Sequence, residues 1–258
     1  MLFGSAQAAD DYARYLPPGE TRWLSPSQSN ENEQQSTQRF LLLERESLRS
    51  FSRGVLLSLP DWGYHPLQSA AVRQLYQFAP SIGWRSWALT PPDTDLRGDM
   101  LQIPAVDERF PEAVDDEQLQ PLLDALRARL SVAAAQRRDY PGFYVLIVEG
   151  MTAALSLRLL SEDAGLRPDA LVIIDPYLPQ YRLNQALPKT LAQLPLPVLD
   201  VMTSRSNRWS LASADKRRQF ADKYQQVSYR QRRLIGADSQ QQAALTKLVQ
   251  GWLKQQGY

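Results

Sequence analysis

The sequence predicts an α/β protein built on a mostly parallel central sheet with helices on both faces. Two observations carry that expectation. Short apolar, β-branched runs recur along the chain, and each is followed by a longer stretch whose apolar residues repeat with helical spacing. The runs are continuously apolar rather than alternating, as strands covered on both faces are.

The elements follow in order. Residues 1–20 read as an N-terminal tail and 21–258 as one domain, a size that a single α/β core reaches. Arg22 to Leu24 and Arg39 to Glu44 flank PSQSNENEQQSTQ (26–38), which has no apolar residue and therefore reads as a solvated loop. This predicts an N-terminal antiparallel hairpin with a long connection. The later strands are expected at Gly54–Leu59, Trp84–Leu89, Phe143–Val148, Ala170–Asp175, Val198–Met202 and Tyr229–Ile235. Helices are expected at about Leu67–Phe78, Asp116–Arg138, Met151–Asp163, Leu183–Leu194, Ala212–Gln225 and Ser239–Gln255, with no large lid domain. Leu119, Leu122, Leu123, Leu126 and Leu130 form a core-facing stripe, as do Leu245, Leu248, Val249, Trp252 and Leu253. The basic strand YRQRRLI (Tyr229 to Ile235) reads as a sheet edge whose charges discourage edge-to-edge pairing, with a binding patch as the other reading.

Composition removes several chemistries. With no cysteine and a single histidine among 258 residues, thiol nucleophiles, disulfides, Cys-ligated zinc and sites needing two imidazoles are excluded. Twenty-nine Lys and Arg against twenty-eight Asp and Glu leave a net charge of +1, so no global field draws the chain to nucleic acid. No run reaches the roughly eighteen apolar residues of a membrane span. The triplet Ala6-Gln7-Ala8 matches the small-residue rule of a signal-peptidase site without the preceding basic and apolar regions. It leads to an expectation of periplasmic export from a longer precursor; the alternative is a frayed Ala-rich terminus on a cytoplasmic protein.

The segment FYVLIVEGMTAALSLRLL (Phe143 to Leu160) runs an apolar strand into a small-residue turn and then a helix. This is the frame of a nucleophile elbow, in which G-x-S-x-G lifts a serine above the sheet. Here the motif reads V-E-G-M-T, with Gly150 in the nucleophile's place. Together with LPDWGYHP (59–66), IIDPYLP (173–179), LPLPVLDVMTSRSNRW (194–209) and YRQRRLIGADSQ (229–240), it resembles the uncharacterised proteobacterial α/β-hydrolase-like proteins of unknown function. The resemblance implies the α/β-hydrolase fold. It also implies an acid after the Val198–Met202 strand, near Ser206, and a histidine after the last strand, near Ser239. No histidine follows residue 65, so the triad positions Gly150, Ser206 and Ser239 offer no nucleophile, orienting acid or base.

In open parallel sheets the ligand crevice lies beyond the carboxyl ends of the strands. The segments expected there bring Asp61, Trp62, His65, Glu149, Asp175, Tyr177, Asn207 and Trp209 together. His65 with Asp61 reads either as an acid/base pair or as a structural hydrogen bond. Glu149 reads as a general base or as a cap on the following helix. Asp61, Glu149 and Asp175 are oxygen ligands of the kind hard cations use, but without the dense acidic spacing of a metal loop, and neither metal nor cofactor is expected. Trp84 and Trp87 are expected in the core, Trp62 and Trp209 on exposed loops. The function expected is a non-catalytic hydrolase-like protein that binds a small ligand or a protein partner at this edge. The alternatives are a non-serine hydrolase using His65 with Asp61 or Glu149, and an interaction scaffold using a surface away from the crevice.

Overall fold

The computed structural model describes residues 16–17, 19–25, 39–92 and 116–258. The expected polar loop at 26–38 and the triplet at 6–8 lie outside the described residues. Eight strands form one sheet: β1 (Thr21–Leu24), β2 (Phe40–Arg45), β3 (Gly54–Leu59), β4 (Arg85–Leu89), β5 (Phe143–Glu149), β6 (Ala170–Ile174), β7 (Val198–Met202) and β8 (Tyr229–Arg233). Their order is β1-β2-β4-β3-β5-β6-β7-β8. β1 and β2 form the expected antiparallel hairpin, β2 runs antiparallel to β4, and every other pairing is parallel.

The helices are α1 (Ala70–Phe78), α2 (Asp116–Arg137), α3 (Gly150–Glu162), α4 (Tyr181–Ala192), α5 (Arg208–Lys223) and α6 (Asp238–Gln255). α5 starts four residues earlier than its apolar pattern indicates, because Asn207 Oδ1 accepts the Ser210 N–H at 2.9 Å and caps it. The sheet's two-residue period divides the core. Leu57, Leu146, Val148, Leu171 and Ile173 pack with α2, α3 and α4, whereas Leu56, Val145, Ile147, Val172 and Ile174 pack with α1 and α6. Both predicted leucine stripes face these layers, and Trp84 and Trp87 are buried. No lid domain appears among the described residues.

One buried polar cluster has no counterpart in the sequence reading. Asp200 on β7 is fully buried and pairs with the equally buried Arg217 of α5 through Nε at 2.7 Å and Nη2 at 3.3 Å. The Tyr229 hydroxyl and Gln231 Nε2 also donate to Asp200, at 2.7 and 3.0 Å. Arg217 Nη1 donates to the Ser210 carbonyl and the Ser213 hydroxyl. The charges are thus matched inside the fold, tying β7, β8 and α5 together.

Candidate functional site

The strand-to-helix turn between β5 and α3 takes the conformation that the sequence frame requires. Gly150 has φ +59°, the left-handed region in which a side chain costs energy. A Cβ built there would lie 2.1 Å from the Asp61 carboxyl carbon and 2.2 and 2.5 Å from its oxygens. The Asp61 carboxylate therefore stands where a nucleophile's side chain would stand.

The same carboxylate also fills the adjoining donor pair. Asp61 Oδ1 accepts the Met151 N–H at 2.7 Å and the Trp62 N–H at 2.8 Å. Met151 follows the elbow position, and Trp62 lies in the loop after β3. These are the two sources of the backbone N–H groups that form an oxyanion hole in hydrolases of this architecture. Oδ2 accepts the Tyr177 hydroxyl at 3.0 Å, and Tyr177 N–H in turn donates to Gly150 C=O at 3.3 Å. Burial raises the Asp61 pKa, while the Met151 and Trp62 N–H groups and the Tyr177 hydroxyl pull the other way.

Glu149, the last residue of β5, sits beside this lock. The expectation that its side chain caps α3 is not met: it makes no capping hydrogen bond and accepts the Ser69 hydroxyl at 2.6 Å instead. Ser69 is itself the N-cap of α1, with Oγ accepting the Val72 N–H at 3.1 Å. A hydrogen bond from the Asp61 main chain also reaches Glu149. Burial, reinforced by Asp61 and Asp175, lifts the Glu149 carboxyl to about 7, with the Ser69 bond opposing.

Asp175, directly after β6, has φ +48° and accepts from Thr203 N–H at 3.0 Å and from the Thr203 and Ser206 hydroxyls. Ser206, at the position where the resemblance implies an acid, thus serves as a donor to a carboxylate supplied by the neighbouring strand. Three carboxylates consequently gather at the carboxyl ends of β3, β5 and β6. Among the described residues, no group of three or more His, Cys, Asp or Glu side chains is arranged to hold a metal ion.

A family model described as a protein of unknown function, DUF3530, matches residues 19–255. The chain belongs to that family. A search of curated proteins finds no match for this DUF3530 chain. Solved structures are similar in fold. An esterase domain from Rhodothermus marinus superposes with TM-score 0.56 at 13% identity, covering 88% of this chain and 96% of that one. A serine hydrolase homologue from Coxiella burnetii gives 0.56 at 12%, covering 91% and 99%. A lidless serine hydrolase from Xanthomonas campestris gives 0.55 at 13%, covering 92% and 97%. At such identities the likeness shows the α/β-hydrolase fold alone.

The remaining sequence-predicted residues fall as follows. His65 is buried, its Nδ1 accepts the Leu67 N–H at 3.2 Å, and burial lowers its pKa to about 4. It is therefore a neutral imidazole with its proton on Nε2 at physiological pH. Trp62 is corrected from an exposed loop residue to a core one: only 8% exposed, it packs in the cluster under α2 and α3. Trp209 is corrected from a loop residue to one in the first turn of α5, whose start is set by the Asn207 cap; it is partly exposed, its carbonyl accepts Asn184 Nδ2 at 3.0 Å, and the Arg208 guanidinium lies over its ring. Ser239 is exposed in the first turn of α6.

The structural role of Asp61 was not legible from the sequence, where it was only one acid among three. The signal was a carboxylate two residues beyond the strand that neighbours a degenerate elbow.

Proposed function

We propose that this protein is a non-catalytic member of the α/β-hydrolase fold that acts by binding a ligand at the carboxyl edge of its parallel strands. The observation that carries this reading is the double occupancy achieved by Asp61. One carboxylate takes both the space of the missing nucleophile and the two N–H groups that would stabilise an oxyanion. Acyl transfer needs that space and those donors together. Residues such as Tyr64, exposed at the mouth, and the half-exposed Trp209 and Tyr177 remain available to a ligand. A periplasmic home rests on the Ala6-Gln7-Ala8 triplet alone.

A second reading has one specific observation in its favour. Glu149, held near 7, has the affinity of a general base at neutral pH and would activate water without a covalent intermediate. His65, neutral above about 4 and bonded at Nδ1, is a weaker candidate. A fluorophosphonate serine-hydrolase probe and a panel of activated esters separate the readings. We expect neither labelling nor turnover. Stoichiometric labelling of any serine overturns the proposal, and ester turnover that disappears in Glu149→Gln establishes the second reading.

A further inference from the structure

The last strand carries an unclaimed surface at the far edge of the sheet from the hairpin. Charge is unevenly distributed along this chain: from Leu211 to Tyr258 there are nine Lys and Arg against three Asp and Glu, while the first 210 residues hold twenty against twenty-five. Within that basic stretch, Arg230, Arg232 and Arg233 of β8 are exposed, as are Arg218 and Lys223 of α5 and Lys247 of α6. Two bare aliphatic residues bracket the strand, Val227 at 94% and Ile235 at 83% exposure. At the strand's foot a cleft of about 640 Å³ is lined by Leu194, Leu196, Pro197, Tyr224 and Val227 among others.

Among the described residues, no strand pairs with the outer side of the β8 main chain. Ser228 C=O accepts the Val198 N–H, and Leu234 N–H donates to Met202 C=O. By alternation, residues 228, 230, 232 and 234 turn their main-chain groups toward β7, and Gln231 and Arg233 turn theirs to the outer edge. Gln231 C=O receives the Arg232 guanidinium at 3.0 Å and keeps a second lone pair. Clustered arginines oppose self-pairing of such an edge by charge repulsion. The same charges attract a strand of opposite sign.

We propose that β8 docks an extended acidic segment of a partner protein as a ninth strand, with its carboxylates opposite Arg230 and Arg232 on one face and an apolar side chain on the other face, over Val227 and the cleft. This is strand addition, in which main-chain bonds supply affinity and side chains supply selectivity. The surface is separate from the crevice, so the inference does not depend on the reading given for that site.

The test uses the full chain and a fluorescent seven-residue peptide, Glu-Val-Glu-Thr-Glu-Val-Glu, read by anisotropy at low and high salt. Comparison probes are the same peptide N-methylated at alternate residues, a Lys-for-Glu version and a single-stranded oligodeoxynucleotide. We expect binding of the parent peptide alone, weakened at least about tenfold by salt and by the paired change Arg230→Glu with Arg232→Glu. Arg233→Pro removes an outward N–H while sparing the β7 ladder, and it should abolish binding without altering the α-helical circular dichroism. Should that variant fail to fold, the N-methylated peptide poses the same question from the ligand side. Absence of binding by the parent peptide, equal binding of the methylated one, or equal binding of the oligodeoxynucleotide overturns the proposal.

Discussion

Adding a single methyl group at the elbow tests the Asp61 lock. In Gly150→Ala the new Cβ falls 2.1 to 2.5 Å from three atoms of the Asp61 side chain, so the carboxylate has to leave. Its departure breaks two bonds from backbone N–H groups to a charged acceptor, at 2.7 and 2.8 Å, each contributing about 1.5 to 3 kcal/mol. Rehydration of the released carboxylate offsets part of this, leaving about 3 kcal/mol. The left-handed backbone at φ +59° adds about 1 kcal/mol for a residue with a Cβ. Gly150→Ala should therefore destabilise by about 4 kcal/mol, large for a single methyl group. Asp61→Ala removes the same bonds but lets water reach both N–H groups, at a cost of about 2 kcal/mol. In the double variant the clash is gone and only the backbone strain is added to the loss of Asp61. The two changes should then couple by about 2 to 3 kcal/mol, read by urea unfolding of all four proteins. Additive effects to within 0.5 kcal/mol, a margin on the order of that seen for independent sites, would refute the lock. Gly150→Ser in either background should still turn over no ester, because nothing after β8 supplies a base.

Two further outcomes follow from the same site. Burial lifts Glu149 from 4.5 to about 7, so the folded chain keeps a proton that the unfolded chain gives up across that interval. Stability from this group is complete below about pH 4.5 and is lost as the pH rises to 7; Glu149→Gln should equal the parent at pH 4 and exceed it by about 1 to 2 kcal/mol at pH 8, the full shift being discounted for partial exposure. A Glu149→Gln protein no more stable than the parent at pH 8 in denaturant titrations would contradict that. Trp62→Ala, which empties a buried site, should cost about 3 to 5 kcal/mol, whereas Trp209→Ala should stay within about 1 kcal/mol by thermal unfolding. Similar losses for the two would mean that Trp62 does not hold the core.

The sequence by itself determined the layered α/β architecture, because apolar periodicity is local. A run such as VLLSLP or YVLIVE has to be buried on both faces wherever it lies, and the leucines of α2 mark its inner side regardless of the partner. The N-terminal hairpin, the basic edge strand and the absence of a histidine after residue 65 were legible in the same way. The tertiary structure decided what depends on meetings between distant segments. Asp61 and Gly150 are 89 residues apart, and only the pairing of β3 with β5 sets the carboxylate against the elbow. Glu149 could have capped α3 by its position, but Ser69, eighty residues earlier, supplied a nearer hydroxyl. Asp200 and Arg217 looked like ordinary members of a strand and an amphipathic helix, and Trp62 like a loop aromatic. Hydrogen bonds and burial are settled by which atoms come within about 3 Å, and that distance is fixed by packing rather than by spacing along the chain.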